Sequence, residues 1–248
     1  MRHGTVLPTI DTTDRFAPIG PMAEVRAAVS DGPGGAALAA IVEAAPDLKR
    51  AVTASGVVGG VATGELVTFP YPSVFGLWRA ARSPVPLVWL TARFLVVQWD
   101  EPARRGRTRG TTDRRRTLLW GAFDREGAAT TPAALQLGPR TAVPDRLLTT
   151  THGSVRGHLR ALGIDPADVD YVASDHLQAQ DLRRVLGTTR PARDLGEPDQ
   201  PLAGWFPNAT LVTSQREWSS LHQLHPLQAP WYQPDTFRDL DPRRAHRG

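Results

Sequence analysis

The chain has 248 residues, with 29 Lys plus Arg against 25 Asp plus Glu, a formal net charge of +4 and no cysteine. The missing cysteines exclude disulfides, thiolate zinc sites and cysteine nucleophiles, so any metal must rest on His, Asp, Glu or weaker oxygen ligands. The most apolar stretch, residues 86–99, is broken by Arg93, and the opening MRHGTVLPTIDTTDRF lacks a signal-peptide core, so a soluble, cytoplasmic protein without a membrane partner is expected.

Hydrophobic residues make up 41% of the chain, enough to core one large domain or two small ones. The isoelectric point near 10.2 suggests nucleic acid at first sight. However, all the basic residues but Lys49 are arginine, and Ala, Gly and Pro are abundant beside them. That pattern fits coding bias in a GC-rich genome, so a solvated arginine-rich surface is expected rather than a nucleic-acid partner.

Residues 21–30 and 36–45 have helical composition, and Pro46 is expected to end the second helix. DGPGG between them reads as a loop. The run GVVGGVATG (56–64) has neither a P-loop Lys-Ser/Thr nor G-x-G-x-x-G spacing, and reads as a flexible connection. Residues 1–65 are therefore expected to form a weakly structured helical and Gly-rich segment, and 66–248 the main domain. Strands are expected in ELVTFPYP, PLVWL, RFLVVQW (93–99) and TLLWGAF (117–123). Between the last two, residues 100–116 read as a loop carrying Arg104, Arg105, Arg107, Arg109, Arg114, Arg115 and Arg116. It could be a phosphate-binding arm. A self-repelling solvated insertion is favoured, because no aromatic residues interleave the arginines.

After residue 145, Thr150 or Thr151 is expected to cap a helix whose Val155, Leu159 and Leu162 share one face, and Gly163 to end it in the left-handed conformation. Asp165 caps a short turn with Pro166 at its first position and Asp168 in its first turn. VDYVAS (169–174) reads as a buried strand, LRRVLG (182–187) as a short helix, and FPNATLVTSQREW (206–218) as a loop, a strand and a helix start. Helix, strand, polar motif, helix and strand make an α/β pattern. Ser154 between Gly153 and Val155 lacks the G-x-S-x-G order of a nucleophile elbow. His152 and His158 read as surface residues. Trp205, Trp218, Trp231 and Tyr232 read as packing against the sheet. Arg183 and Arg184 could meet an anionic substrate, but at least one of them is expected to be solvated or to pair with Asp181 or Asp194.

The stretches LRALGIDPADVDYVASDHLQAQD and FPNATLVTSQREW resemble the metallo-β-lactamase fold superfamily of metal-dependent hydrolases over residues 155–218. In that family a helix leads into G-I-x-P-x-D-hydrophobic-D. A strand, the ligand run T/S-H-x-H-x-D-H, an F-P-N-A loop and a strand ending near Glu-Trp follow. The resemblance implies an α/β fold, a partial αββα sandwich (its first half) behind an irregular N-terminal segment. It also implies hydrolysis of a small-molecule ester, lactone or amide by zinc or another divalent metal. Residues i and i+2 of extended backbone project to one side, so two histidines there can share a metal that activates water. Here the run starts at His176, the second histidine is Gln178, the aspartate is Gln180, and the last histidine is Asp181. His176, Asp181 and Gln178 are the candidate metal ligands, with Asp175 an alternative carboxylate. A glutamine amide is a weaker zinc ligand than imidazole.

His222 and His225 follow at a tempting distance, but SSLHQLHPLQAPWY has no glycine turn and reads as a helix end and Pro-rich loop. The tail DLDPRRAHRG has no apolar pattern and reads as a frayed end. The ligand motifs of the family's second half are unmatched, so a truncated chain is expected, with an exposed sheet face prone to homo-oligomerisation or aggregation. No catalytic residue is assigned. The first reading is a divergent hydrolase with a degraded metal motif, and the alternative is a catalytically inactive binding or interaction protein or fragment. A third reading, weaker than these, is a basic nucleic-acid binder using the loop from Arg104 to Arg116.

Overall fold

A computed structural model describes residues 20–30, 34–77, 80–101, 114–121, 148–178, 180–221 and 223–247. The described chain divides into two compact units, with the boundary between Gly59 and Gly60. In the first, α1 (Gly20–Ser30) packs against α2 (Gly34–Ala54). The expected stop at Pro46 does not occur, and α2 runs on to Ala54. A helical proline costs about 3 kcal/mol through its missing N–H and its clash with the preceding turn. Leu48, Lys49, Arg50 and Ala51 after it are good helix formers. Ala37, Ile41, Ala44, Leu48 and Ala51 form a half-buried stripe along α2 at helical spacing.

The second unit contains, in chain order, β1 (Gly60–Pro72), α3 (Ser73–Gly76), β2 (Leu87–Glu101), β3 (Arg114–Trp120), β4 (Thr150–Thr151), α4 (Val155–Ala161), β5 (Tyr171–Ala173), α5 (Arg183–Leu186), β6 (Pro191–Ala192), β7 (Glu197–Pro201), β8 (Thr210–Thr213), α6 (Gln215–Ser220), α7 (Pro234–Asp239) and β9 (Ala245–Arg247). Strands β6 and β7 make a separate ribbon. The others form one seven-stranded sheet in the order β4-β1-β2-β3-β5-β8-β9. The β4-β1-β2-β3 part is antiparallel, and the β3-β5-β8-β9 part is parallel. The fold is α/β, as the sequence pattern requires.

Strand β1 starts at Gly60, so half of the expected Gly-rich connection is strand. Gly64 is required there because the Phe94 ring lies across it. A Cβ at Gly64 would sit 2.1 Å from the ring edge. Asp100 and Glu101 close β2, and Arg114, Arg115 and Arg116 open β3, so both ends of the expected 100–116 loop are paired strand. Residues 102–113 lie outside the described residues. Asp170, buried, accepts from Arg114 Nη2 at 2.9 Å, Arg116 Nη1 at 2.6 Å and the Thr117 amide at 3.0 Å. These arginines close the sheet end by charge pairing, with Arg116 also on Glu101. Burial lowers the Arg116 pKa, but its bonds to Asp170 and Glu101 outweigh this and raise it above the ordinary guanidinium value.

Antiparallel partners share a face, so Ala62, Val96 and Leu119 line one side of the sheet and Val61, Val97 and Leu118 the other. The first side is the core. There Phe94, Val96, Leu119 and Val172 pack with Val155 and Leu159 of α4. The helix is not capped by Thr150 or Thr151, which pair in β4 with Thr68 and Val67. Ser154 is its cap, and its Oγ accepts from Gly157 N at 3.1 Å. Leu162, expected in the core stripe, is 48% exposed. The reason is that the helix ends at Ala161 and Gly163 turns left-handed at φ 69°. Asp165 Oδ1 caps the turn Pro166–Asp168 at Ala167 N.

The tail is also built in. Leu240 and Ala245 are buried in the core cluster, and β9 adds to the edge of β8. The polar side chains of DLDPRRAHRG hide this, because a short edge strand needs few apolar residues when a cation anchors it.

Candidate functional site

The motif follows β5 at the C-terminal end of the parallel strands, where open α/β sheets place their ligands. Val169, Val172 and Ala173 are buried as expected, and Ser174 is buried after them. Among the described residues its hydroxyl has no hydrogen-bond partner. Leu177 is buried, while His176 and Gln178 on either side of it are exposed. The turn is fixed from α6. Ser214 caps that helix by accepting from Glu217 N at 3.1 Å, and Glu217 Oε1 accepts from Leu177 N at 2.8 Å. Burial first, and the Glu217 charge second, push the Tyr232 phenol above its ordinary pKa.

The candidate ligands are in different surroundings. His176 has a side chain 54% exposed, and its Nε2 lies 3.6 Å from Asp175 Oδ2. Asp181 is 1% exposed and has both carboxylate oxygens on one guanidinium. Arg183 Nε donates to Asp181 Oδ1 at 2.9 Å, and its Nη2 donates to Oδ2 at 2.8 Å. Arg183 also donates to Asp194 from Nη1 and Nη2, at 3.0 and 2.7 Å. It thus makes both pairings expected for the two arginines. Burial works against its charge, but bonds to Asp181 and Asp194 outweigh this and raise its pKa above the ordinary guanidinium value. Thr236 Oγ1 of α7 donates to Asp181 Oδ1 at 3.0 Å.

A divalent metal does not suit this donor set. It offers one exposed imidazole, the exposed Asp175 carboxylate beside it, one exposed amide at Gln178, and the Asp181 carboxylate already neutralised by a buried cation. Among the described residues no group of three or more His, Asp or Glu is placed to hold a metal. His225 is exposed, its Nδ1 accepting from Leu227 N, and His222 lies outside the described residues. Trp218 is buried, Trp205 and Tyr232 pack against the core, and Trp231 is exposed. Two clefts, of about 320 and 330 Å³, open along the 162–168 loop before β5, the sheet end away from the motif.

Sequence reasoning missed Glu217, which holds the Leu177 amide, Asp235, 3.8 Å from Arg183 Nη1, and Thr236 on Asp181. Ser214-x-x-Glu217 was readable as a helix cap, but no local pattern links residues 217 and 177 or 236 and 181.

No family model matches the chain, and no curated protein matches it. Solved structures do. A probable metal-dependent hydrolase from Staphylococcus aureus is similar at 13% identity and a TM-score of 0.41, over 78% of this chain and 60% of that one. A quorum-quenching N-acyl homoserine lactone lactonase is similar at 13% identity and a TM-score of 0.43, over 78% and 58%. A hydrolase in the beta lactamase superfamily is similar at 18% identity and a TM-score of 0.32, over 70% and 47%.

The chain spans about 60% of the length of the first two structures. Among the described residues no helix is long and apolar enough to cross a membrane.

Proposed function

We propose that this chain is a metal-free, non-catalytic binding or interaction protein on a partial metallo-β-lactamase-like fold. The observation that carries the reading is the use of Asp181. It sits where the family motif has a metal-binding histidine, yet both its oxygens are held by Arg183. Gln178 and Gln180 supply no charge to offset an ion. The test is metal analysis of protein purified without chelator and then offered zinc, iron or manganese. Far less than one equivalent is expected, with no hydrolysis of generic ester or lactone substrates. One bound equivalent, lost in His176→Ala, would overturn the reading.

The second reading is a divergent metal-dependent hydrolase of the ester, lactone or amide class. In it His176, Gln178 and Asp181 hold zinc or another divalent metal against a small-molecule substrate. It is supported by His176 and Gln178 flanking buried Leu177 at the end of β5.

We also infer self-association through the sheet side opposite α4. Thr63, Leu95 and Trp120 form a cross-strand row beside Val61, Val97 and Leu118. Leu95 and Trp120 are 37% and 44% exposed. Contiguous apolar surface of this kind favours association. Light scattering is expected to show mass rising with concentration, and Leu95→Lys with Trp120→Glu to abolish the rise. A monomer at all concentrations would refute this.

A further inference from the structure

Three separate segments deliver oxygen atoms to one buried cation. The cation is Arg183, 2% exposed at the start of α5. Asp181, just before it in sequence, binds it through both oxygens, and so does Asp194 from the turn Arg193–Leu195. From α7, Asp235 lies 3.8 Å from Arg183 Nη1, and Thr236 Oγ1 donates to Asp181 Oδ1. A structural metal makes the same kind of cross-link, in which oxygens from distant segments converge on one charge.

We propose that Arg183 is a built-in cation which ties the motif turn to α7, the task a bound metal would perform at this place. The inference rests on the reading that the motif holds no metal. The geometry favours a guanidinium over an ammonium. Its planar fork engages two carboxylates in pairs of bonds, while lysine offers a single point charge. Arg238 already occupies the far oxygen of Asp235 at 2.8 Å and also pairs with Asp239, so it is not free to replace Arg183. Without Arg183, three carboxylates would face a vacated volume, which is a donor set for a hard divalent cation.

The experiment is a thermal melt of the full chain as wild type, Arg183→Met, Arg183→Lys and His176→Ala, each in EDTA, in calcium, in magnesium and in zinc. The wild type is expected to melt at one temperature in all four. Arg183→Met should lose about 10 °C in EDTA and regain part of it in calcium or magnesium. Arg183→Lys should lie between and ignore the added ions. Arg183→Met melting with the wild type, or gaining nothing from either ion, would overturn the proposal. If Arg183→Met does not fold, Asp194→Asn and Arg183→Lys carry the test, and unchanged melts for both overturn it. A zinc-dependent rise in the wild type that disappears in His176→Ala would instead defeat the metal-free reading, leaving the calcium response of Arg183→Met as the measure of this proposal.

Discussion

Replacing Asp181 with alanine is expected to cost about 3–5 kcal/mol of unfolding free energy, among the largest effects of any single polar substitution in the chain. Asp181 and Arg183 are both almost fully buried, and Arg183 cannot give up its proton to escape. Removing the carboxylate leaves a charged guanidinium with Asp194, whose side chain is half exposed, as its remaining close partner, and strands the Thr236 hydroxyl. Asp194→Asn should cost far less, roughly 1 kcal/mol, because water can replace much of what that carboxylate supplies. Urea unfolding followed by circular dichroism measures both. The double variant Asp181→Ala with Arg183→Met should be less destabilised than the sum of its single changes, since no unpaired charge then remains. An Asp181→Ala midpoint within error of the wild type would mean that the pair is not formed in solution.

This pair shows why the fold was more legible than the site. The strand at 171–173, inside the expected 169–174, the Asp165 cap and the left-handed Gly163 follow from local rules that act within a turn or two. Leu159 and Val155 were readable as core for the same reason. The misses come from contacts with distant segments, which local rules do not contain. Ser154 wins the cap over Thr150 and Thr151 because those threonines are drawn into β4 by Val67 and Thr68, over eighty residues away. Pro46 fails to stop α2 because the residues after it favour helix and α1 lies alongside. At the motif, spacing placed His176, Gln178 and Asp181 together, but only the fold shows Asp181 turned into the protein onto Arg183. The pairing of Asp181 with Arg183 was among the sequence alternatives. Its closure by Asp235 and Thr236 was not, since these lie more than fifty residues downstream.

The tail makes the same point, and it carries the second large effect. Arg244→Ala is expected to cost about 3 kcal/mol and to release β9. Arg244 reaches back from the end of the chain to three backbone carbonyls. Its Nε and Nη2 donate to Ala209 O at 3.0 and 2.8 Å, Nη2 donates also to Phe206 O at 2.5 Å, and Nη1 donates to Leu186 O. Hydrogen bonds from a charged donor contribute about 1.5–3 kcal/mol each, and burial here opposes the charge, which lowers the Arg244 pKa. The net is therefore less than the sum of the contacts. Without Arg244, the Leu186 carbonyl loses its donor, and the next residue, buried Ala245, loses the anchor that sets its register against Leu211. Hydrogen exchange should then show faster exchange in residues 240–247 and along β8, while the α4 amides stay protected. Arg244→Lys should recover only part of the loss, because one ammonium cannot span three carbonyls. Protection of β8 unchanged in Arg244→Ala would show that backbone pairing alone holds the tail.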